Sequence, residues 1–406
     1  MRGLKRSPWL FGLGVLLAVA VLYRGYARAD VTSDRPGSIL IFPKVVSNGT
    51  RDTIIQITNT GNMPVNAHCF YINTNADVPG ICSLTFNTAC TVDAQCPSGE
   101  TCVHCWETGF DIFLTSQQPT FWGVSAGRRV DPTDNVRGFD PGPIPGQGTD
   151  FEGELKCIVT TAPSGTQSST PGQPIMQNVL KGEATIIPVG AGADVSEYNG
   201  FTIQATGDSS GNDHLLGTAY NSCPASLVVD HRADGAVDTF TGLPVTSVLT
   251  LVPCTEDLEN QLPTRAILNV VVVNEFEQAL SVDGLNFNCL LSKPLSSISS
   301  VFSRGSVGSD FAKTRITPSS SSICYSGTKR SQICSTDADC PGFVTTTSGT
   351  KLGCRRVTGL LGVIEEFESA AGDGLVGAIS GTGSAAVTAH LEGSRPGDVI
   401  ILPPTQ

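Results

Sequence analysis

Thr53-Ile54-Ile55-Gln56-Ile57-Thr58-Asn59 alternates apolar and polar side chains with a period of two, and a second apolar stretch, residues 65–71, follows across a polar turn. That alternation belongs to a strand with one face on a core and the other in water. Ala266-Ile267-Leu268-Asn269-Val270-Val271-Val272-Val273, followed by residues 280–289, reads the same way: strand, turn, strand. Ahead of each pair lies a continuously apolar run that ends in proline, Ile39-Leu40-Ile41-Phe42-Pro43 and Val248-Leu249-Thr250-Leu251-Val252-Pro253. A third such run is Val399-Ile400-Ile401-Leu402-Pro403, and it shares an upstream Arg-Pro-Gly with the first. Proline cannot donate to a ladder, so these residues are expected at strand ends or edges.

More strands are expected at residues 155–161, 184–189, 314–317, 360–367 and 385–391. The 44 Gly, 25 Pro and only 15% charged residues favour short strands joined by turns over helices. Strands that alternate beside strands that are apolar throughout suggest two packed sheets per unit. The chain is long for one hydrophobic core, and the echoed strand series divides it into two modules, residues 30–245 and 246–406. Residues 141–148, 164–174 and 208–213 read as inserts or long loops of the first. Residues 53–62, leading into Pro64-Val65-Asn66-Ala67, resemble the opening of bacterial immunoglobulin-like and cell-adhesion-related domains. That resemblance implies an all-β fold of two tandem immunoglobulin-like β-sandwich modules, here with disulfide-rich inserts.

The opening residues set the compartment. Arg2, Lys5 and Arg6 precede an apolar run at residues 9–23, fifteen long and short of the ~20 a spanning helix needs. Ala27-Arg28-Ala29 offers small residues for a signal peptidase, so residues 1–29 are expected to be a signal peptide and Asp30 the mature start. Without the five bases of that leader, 37 acids face 20 bases, a formal charge of −17. Such a surface excludes nucleic acid as a partner, and no membrane insertion is expected after cleavage.

Export makes the fourteen cysteines a disulfide framework: Cys69, Cys82, Cys90, Cys96, Cys102, Cys105, Cys157, Cys223, Cys254, Cys289, Cys324, Cys334, Cys340 and Cys354. Eight of them form two echoed units, Cys90-Thr-Val-Asp93-Ala94-Gln-Cys96-Pro97 and Cys334-Ser-Thr-Asp337-Ala338-Asp-Cys340-Pro341, each flanked by one further cysteine on either side. They mark cysteine-rich inserts at about residues 75–107 and 324–354. The C-x-x-D-x-x-C-P pattern resembles part of the whey acidic four-disulfide core, many of whose members inhibit proteases. Neither unit has that family's adjacent cysteine pair. Cys102-Val-His-Cys105 has C-x-x-C spacing, but Trp106 stands where haem attachment needs His, and no second C-x-x-C completes a zinc site.

Candidate chemistry is sparse. Asn274-Glu275-Phe276-Glu277 and Glu365-Glu366-Phe367-Glu368 echo each other, each followed by an Asp-Gly (Asp283-Gly284, Asp373-Gly374). On a strand, Glu275 and Glu277 would share a face ~6–7 Å apart, as glycoside hydrolysis can use, or simply face water while Phe276 packs inside. Asp230, Asp234 and Asp238 occupy positions 1, 5 and 9 of a calcium-type loop with Gly235 at 6, although Arg232 stands at 3 and Thr241 at 12. Calcium is therefore the one cofactor considered. His68, His104, His214, His231 and His390 are the histidines, and no G-x-S-x-G elbow, P-loop, dinucleotide fingerprint or HExxH helix accompanies them. Asn48-Gly49-Thr50 fits an N-glycosylation acceptor. The expectation is a secreted, periplasmic or cell-surface protein that binds an extracellular protein or glycan or serves as structure. The alternative is an extracellular hydrolase or hydrolase inhibitor.

Overall fold

The computed structural model of the chain describes residues 31–76, 78–82, 88–128, 141–161, 172–190, 195–207, 213–368 and 384–404. The expected leader and Asp373-Gly374 lie outside the described residues, as does nearly all of 208–213. The first half contributes strands β1 (Ile39–Ser47), β2 (Arg51–Asn59), β3 (Val65–Asn73), β4 (Gly80–Cys82), β5 (Ala89–Cys90), β6 (Cys102–His104), β7 (Trp106–Leu114), β8 (Pro119–Gly123), β9 (Phe151–Thr160), β10 (Leu180–Pro188), β11 (Ser196–Asn199), β12 (Phe201–Ile203) and β13 (Asp213–Leu215). The second contributes β14 (Ser226–Arg232), β15 (Val245–Pro253), β16 (Glu256–Asp257), β17 (Arg265–Asn274), β18 (Ala279–Asn288), β19 (Leu291–Pro294), β20 (Phe311–Pro318), β21 (Ser322–Cys324), β22 (Cys354–Arg356), β23 (Leu360–Glu368), β24 (Ser384–Thr388), β25 (His390–Glu392) and β26 (Val399–Ile401). The fold is all-β, and its ladders are antiparallel except for the short β16–β26 pair.

In the first half, β12-β1-β9-β3-β7 forms one layer and β11-β10-β2-β8 the other, joined at the β1–β2 hairpin, where Ser47 opposes Asp52, and again where Gly37 bridges Leu180. Leu40 and Phe42 of β1 lie over Gly182 and Gly200, where a Cβ would come within 3 Å of their side chains. The absence of side chains there lets the layers close. In the second half, β18-β17-β20-β14-β25 stacks on β19-β15-β23-β24.

The alternating strands behave as their pattern dictates. β2 buries Thr53, Ile55, Ile57 and Asn59, while β17 buries Ala266, Leu268, Val270, Val272 and Asn274, with intervening residues toward water. The continuously apolar runs have a different role. Every residue of β1 and of β15 is buried, and β3, β9 and β23 are nearly so. On β23, Leu360 and Ile364 point into the second core, whereas Leu361 and Val363 join the first, together with Val252, Ile400 and Leu402. The central strands of the layers containing β1 and β15 are thus buried on both faces, and β1 lies against β15 and β23, giving four stacked layers. Each fully buried Ile, Leu or Phe contributes ~1.5–3 kcal/mol, so this seam is apolar burial on the scale of a domain core.

Several expectations need correcting. Ser226–Arg232, placed by sequence before the residue 245 boundary, pairs with β20 and β25 of the second half. Its core face, Leu227, Val229 and His231, completes that half's core. The echoed strand pairs also diverge: β3 leaves β2 and joins the opposite layer beside β9, whereas β18 hairpins back onto β17. Consequently Cys69 bonds Cys157 within one sheet, and Cys289 reaches across the seam to Cys105. Pro43 lies inside β1, at a register shift between Phe42 and Val45, where a missing N–H costs no ladder bond; Pro253 does end its strand.

All seven bridges are closed and no described cysteine is free. The two four-cysteine units share one connectivity, first to third and second to fourth: Cys82–Cys96 with Cys90–Cys102, and Cys324–Cys340 with Cys334–Cys354. In each, the aspartate of C-x-x-D accepts a 2.8 Å hydrogen bond from the backbone N–H of the fourth cysteine, Asp93 from Cys102 and Asp337 from Cys354. The pattern therefore encodes a bridge pairing and the hydrogen bond that orients it.

Cys69 and Cys157 stand directly opposite each other on β3 and β9, closing a loop of 88 residues. The chain-entropy relation assigns such a loop about 4.6 kcal/mol. The double variant C69A/C157A is expected to lose stability of that order in urea unfolding, and a loss under about 1 kcal/mol would show that this bridge does not constrain the unfolded chain.

Candidate functional site

Charged side chains gather where the two central layers meet. A cleft of about 570 Å³ at one end is lined by Lys44, Arg51, Glu152, Ser292, Lys293, Glu365 and their neighbours. Lys44 donates to Glu152 (3.0 Å) and, across the seam, to Ser292 Oγ (2.6 Å). Arg51 pairs with Glu365 of β23 and lies over the Phe367 ring, 5.0 Å from its centroid. Ser196 adds a 3.2 Å hydrogen bond to Glu365, and Tyr198 Oη accepts from Lys44 N–H at 3.0 Å. Lys44 holds Glu152 below the usual carboxylate range by its charge. Glu365 is fully buried between two cations, Arg51 and Lys44, whose attraction offsets the cost of desolvation there.

Deeper in the seam, Lys156 of β9 is fully buried between Glu154, two residues away on the same face, and Glu256 of β16. Burial pushes Glu154 up to about 8. Glu107 is also pushed up to about 8, first by burial and then by the charge of Glu256. Asp257 rises to about 6 through burial, and Asp398 is raised by burial as well. Lys156 serves Glu154 and Glu256, whereas Asp257 and Asp398 have the charges of Arg330 and Arg395 nearby, each too weak to undo the cost of burial.

The third feature is a solvent-facing groove of about 620 Å³ on the outer face of the five-stranded layer. Register places Val271, Arg315 and Val228 in one cross-strand row, Val273, Lys313 and Asp230 in the next, and Phe311 beside Arg232. The charges pair laterally: Lys313 with Asp230 (3.3 Å), Arg315 with Glu392, and Arg232 over the Phe311 ring (5.5 Å). Valines form the floor, and Phe311 is 51% exposed.

The three aspartates of the calcium-type loop are not brought together. Asp230 pairs with Lys313, and Asp234 accepts from the backbone N–H of Ser296 (3.1 Å) and from its hydroxyl. Asp238 accepts from the N–H groups of Thr241 and Phe240 and pairs with Arg232 at 2.6 Å. Those N–H groups, then Arg232, hold its carboxyl at about 2. The residue at loop position 3 thus supplies the positive charge that a cation would bring.

The two Glu-Phe motifs also part company. Asn274 ends β17 and its Oδ1 accepts from the N–H groups of Phe276 and Gln278, both at 2.9 Å. The following residues therefore form a hairpin turn, with Glu277 at φ 61° and Phe276 68% exposed, instead of an inward-pointing phenylalanine. In the other motif, Phe367 is buried and Glu365 faces the seam.

The histidines are scattered. His68 contacts Asp111 at 2.7 Å inside the first sheet, His104 contacts the Val78 carbonyl at 2.6 Å, and His214 stacks on Tyr220. His231 adjoins the outer groove, but its ring turns inward to Thr314 Oγ1 (2.8 Å) and Phe302, and burial lowers its pKa. His390 is exposed on β25. Asn48 sits in the β1–β2 turn, its Oδ1 accepting from the N–H groups of Thr50 and Arg51. Sequence reasoning missed the Lys44, Arg51 and Lys156 ion clusters; lone bases within apolar strands were the available signal.

No family model and no curated protein matches the chain. Among solved structures, a protein of Parabacteroides distasonis described as a "putative secreted protein" matches at 12% identity, covering 68% of this chain and 67% of that one with a TM-score of 0.15. A superposition at that level carries no argument. The disulfides themselves fit an extracellular location, and no described helix is long and apolar enough to cross a membrane.

Two expectations test these assignments. Glu365→Ala leaves Arg51 and Lys44 buried without their shared partner, so denaturant unfolding should register a loss of about 3 kcal/mol; no loss would mean the pair is solvated. Carboxyls raised to about 6 and 8 hold protons that the unfolded chain has already released above its ordinary carboxyl range. Their stabilising contribution is full below that range and lost as pH rises through 6 to 8, so the urea midpoint should fall between about pH 5 and about pH 9. Glu107→Gln should flatten that slope, and an unchanged slope would remove Glu107 from the cluster.

Proposed function

We propose that this chain is a non-enzymatic protein of the cell envelope or the extracellular medium, and that it binds an extracellular protein or glycan on the outer face of its five-stranded layer. The observation that carries this reading is the groove itself. A β-sheet face exposed to water ordinarily reads polar, whereas this one sets Val228, Val271, Val273 and Phe311 among laterally paired charges. Apolar floors edged by charges fixed in place suit a ligand with both apolar and hydrogen-bonding groups, which either a glycan or a protein segment supplies.

The titratable side chains at the groove support the same reading. Asp230 and Glu275 border the groove, but the ring of His231 turns away from it, and Asp230 is engaged by Lys313. The two-module organisation is part of this proposal. Its support is that each half stacks a five-stranded on a four-stranded layer, although the strand orders differ.

The test is binding of the exported protein to surface polysaccharide and envelope protein fractions, comparing wild type with Val271→Glu and Phe311→Ala. Both positions are exposed, so the fold should be unchanged by circular dichroism. Retention should weaken by about tenfold or more, as for an anchor at an interface centre. Retention equal to wild type in both variants would move the binding surface elsewhere.

A further inference from the structure

We propose that Lys156 and Glu256 condense to an intramolecular amide, a covalent cross-link from β9 to β16 that ties the two halves together in addition to Cys105–Cys289. The geometry at the seam points to it. Lys156 Nζ lies against Glu256 Oε2 and 3.0 Å from Glu154 Oε1. Lys156 is fully buried, and Glu154 and Glu256 are almost so. Ile41 and Phe70 stand opposite Lys156 on the neighbouring strands, and Ile400 stands opposite Glu256, all without exposure to water.

An ammonium and a carboxylate held in such a place are costly, because desolvation removes the hydration that stabilised each charge. In the reaction one proton passes from Nζ to the carboxylate it touches, and fixed contact replaces the encounter that limits the reaction in water. The amine lone pair attacks Cδ of Glu256. The Nζ–Cδ bond forms, one Cδ–O bond breaks, and that oxygen leaves as water with two of the three ammonium protons. The third remains on the amide nitrogen. Charge and atoms balance with no oxidant, cofactor or leaving group from outside.

Glu154 has the place of a proton donor in this step. Burial keeps it protonated near neutral pH, and its contact with the same nitrogen lets it pass a proton to the departing oxygen and recover one from the amine. It is also the second acid of a triad with a single base. Once the amide has formed, no ionised group of the triad is left in the seam, since Glu154 stays neutral.

The experiment is mass spectrometry of the purified mature protein with all fourteen cysteines reduced and alkylated. The intact chain should be one water lighter than its sequence. Trypsin should release a branched species joining residues 138–181, uncut at Lys156, to residues 233–265. Linear peptides cut at Lys156, or a missing water located in another peptide, would overturn the proposal. Glu154→Gln keeps both reacting side chains and should restore the full mass. A branched species persisting in that variant would overturn the role given to Glu154. Should the variant fail to fold, the wild-type peptide map decides the bond on its own.

Discussion

Ion pairing across the seam is what allows two sheets to be buried on both faces. Apolar side chains alone would let the central layers stack, but β1, β9 and β23 also bring Lys44, Lys156 and Glu365 into that interface. Each meets a partner of opposite type, and in both clusters one partner belongs to the other half of the chain: Arg51 with Glu365 as an ion pair, and Lys156 with Glu256 as the pair from which the proposed amide forms. The halves therefore cannot separate without exposing apolar strands and orphaning buried charge. Orphaned charge is the larger penalty per group, because a partner left behind keeps its desolvation cost without the attraction that offset it. The outer layers follow from this arrangement: with β1, β9, β15 and β23 covered on both faces, the alternating strands β2 and β17 turn one face to water, as do the edge strands β7 and β24.

The disulfides serve a different purpose. Cys69–Cys157 and Cys223–Cys254 reinforce contacts that the sheets already make, whereas the four-cysteine units stand beyond the cores and contain little apolar surface of their own. For these units cross-links substitute for a core. Their common pairing and common aspartate hydrogen bond show how eight residues of sequence can specify a small structure when the bridges remove most alternatives from the unfolded ensemble.

Strand existence was legible because it rests on local pattern: alternation for β2 and β17, continuous apolarity for β1 and β15. Continuous apolarity also signalled burial on both faces, but not what would cover the second face. Topology was not legible from echo. Residues 65–71 and 280–289 look alike as sequences, yet one crosses to the opposite layer, where it is buried almost throughout, and the other returns beside its predecessor as β18, which buries only Phe287. The Glu-Phe echo failed for a local reason, the Asn274 side chain capturing the following N–H groups and opening a hairpin. The calcium-type spacing does not bring its three aspartates together, because Arg232 at loop position 3 engages Asp238. Lys156 was written in the sequence as a base within an apolar strand, with Glu154 two residues before it, but its partner from the other half, Glu256, lies 100 residues away, beyond the reach of any spacing rule.

The central claim is that the doubly buried seam, and not either outer layer, is the most stable part of the molecule. Native-state amide hydrogen exchange measures this directly, strand by strand. The slowest-exchanging amides should fall in β1, β9, β15 and β23 and open together in a single cooperative unit. Faster exchange in those strands than in β2 and β17, or protection that divides into two independent sets meeting at an unprotected seam, would contradict it.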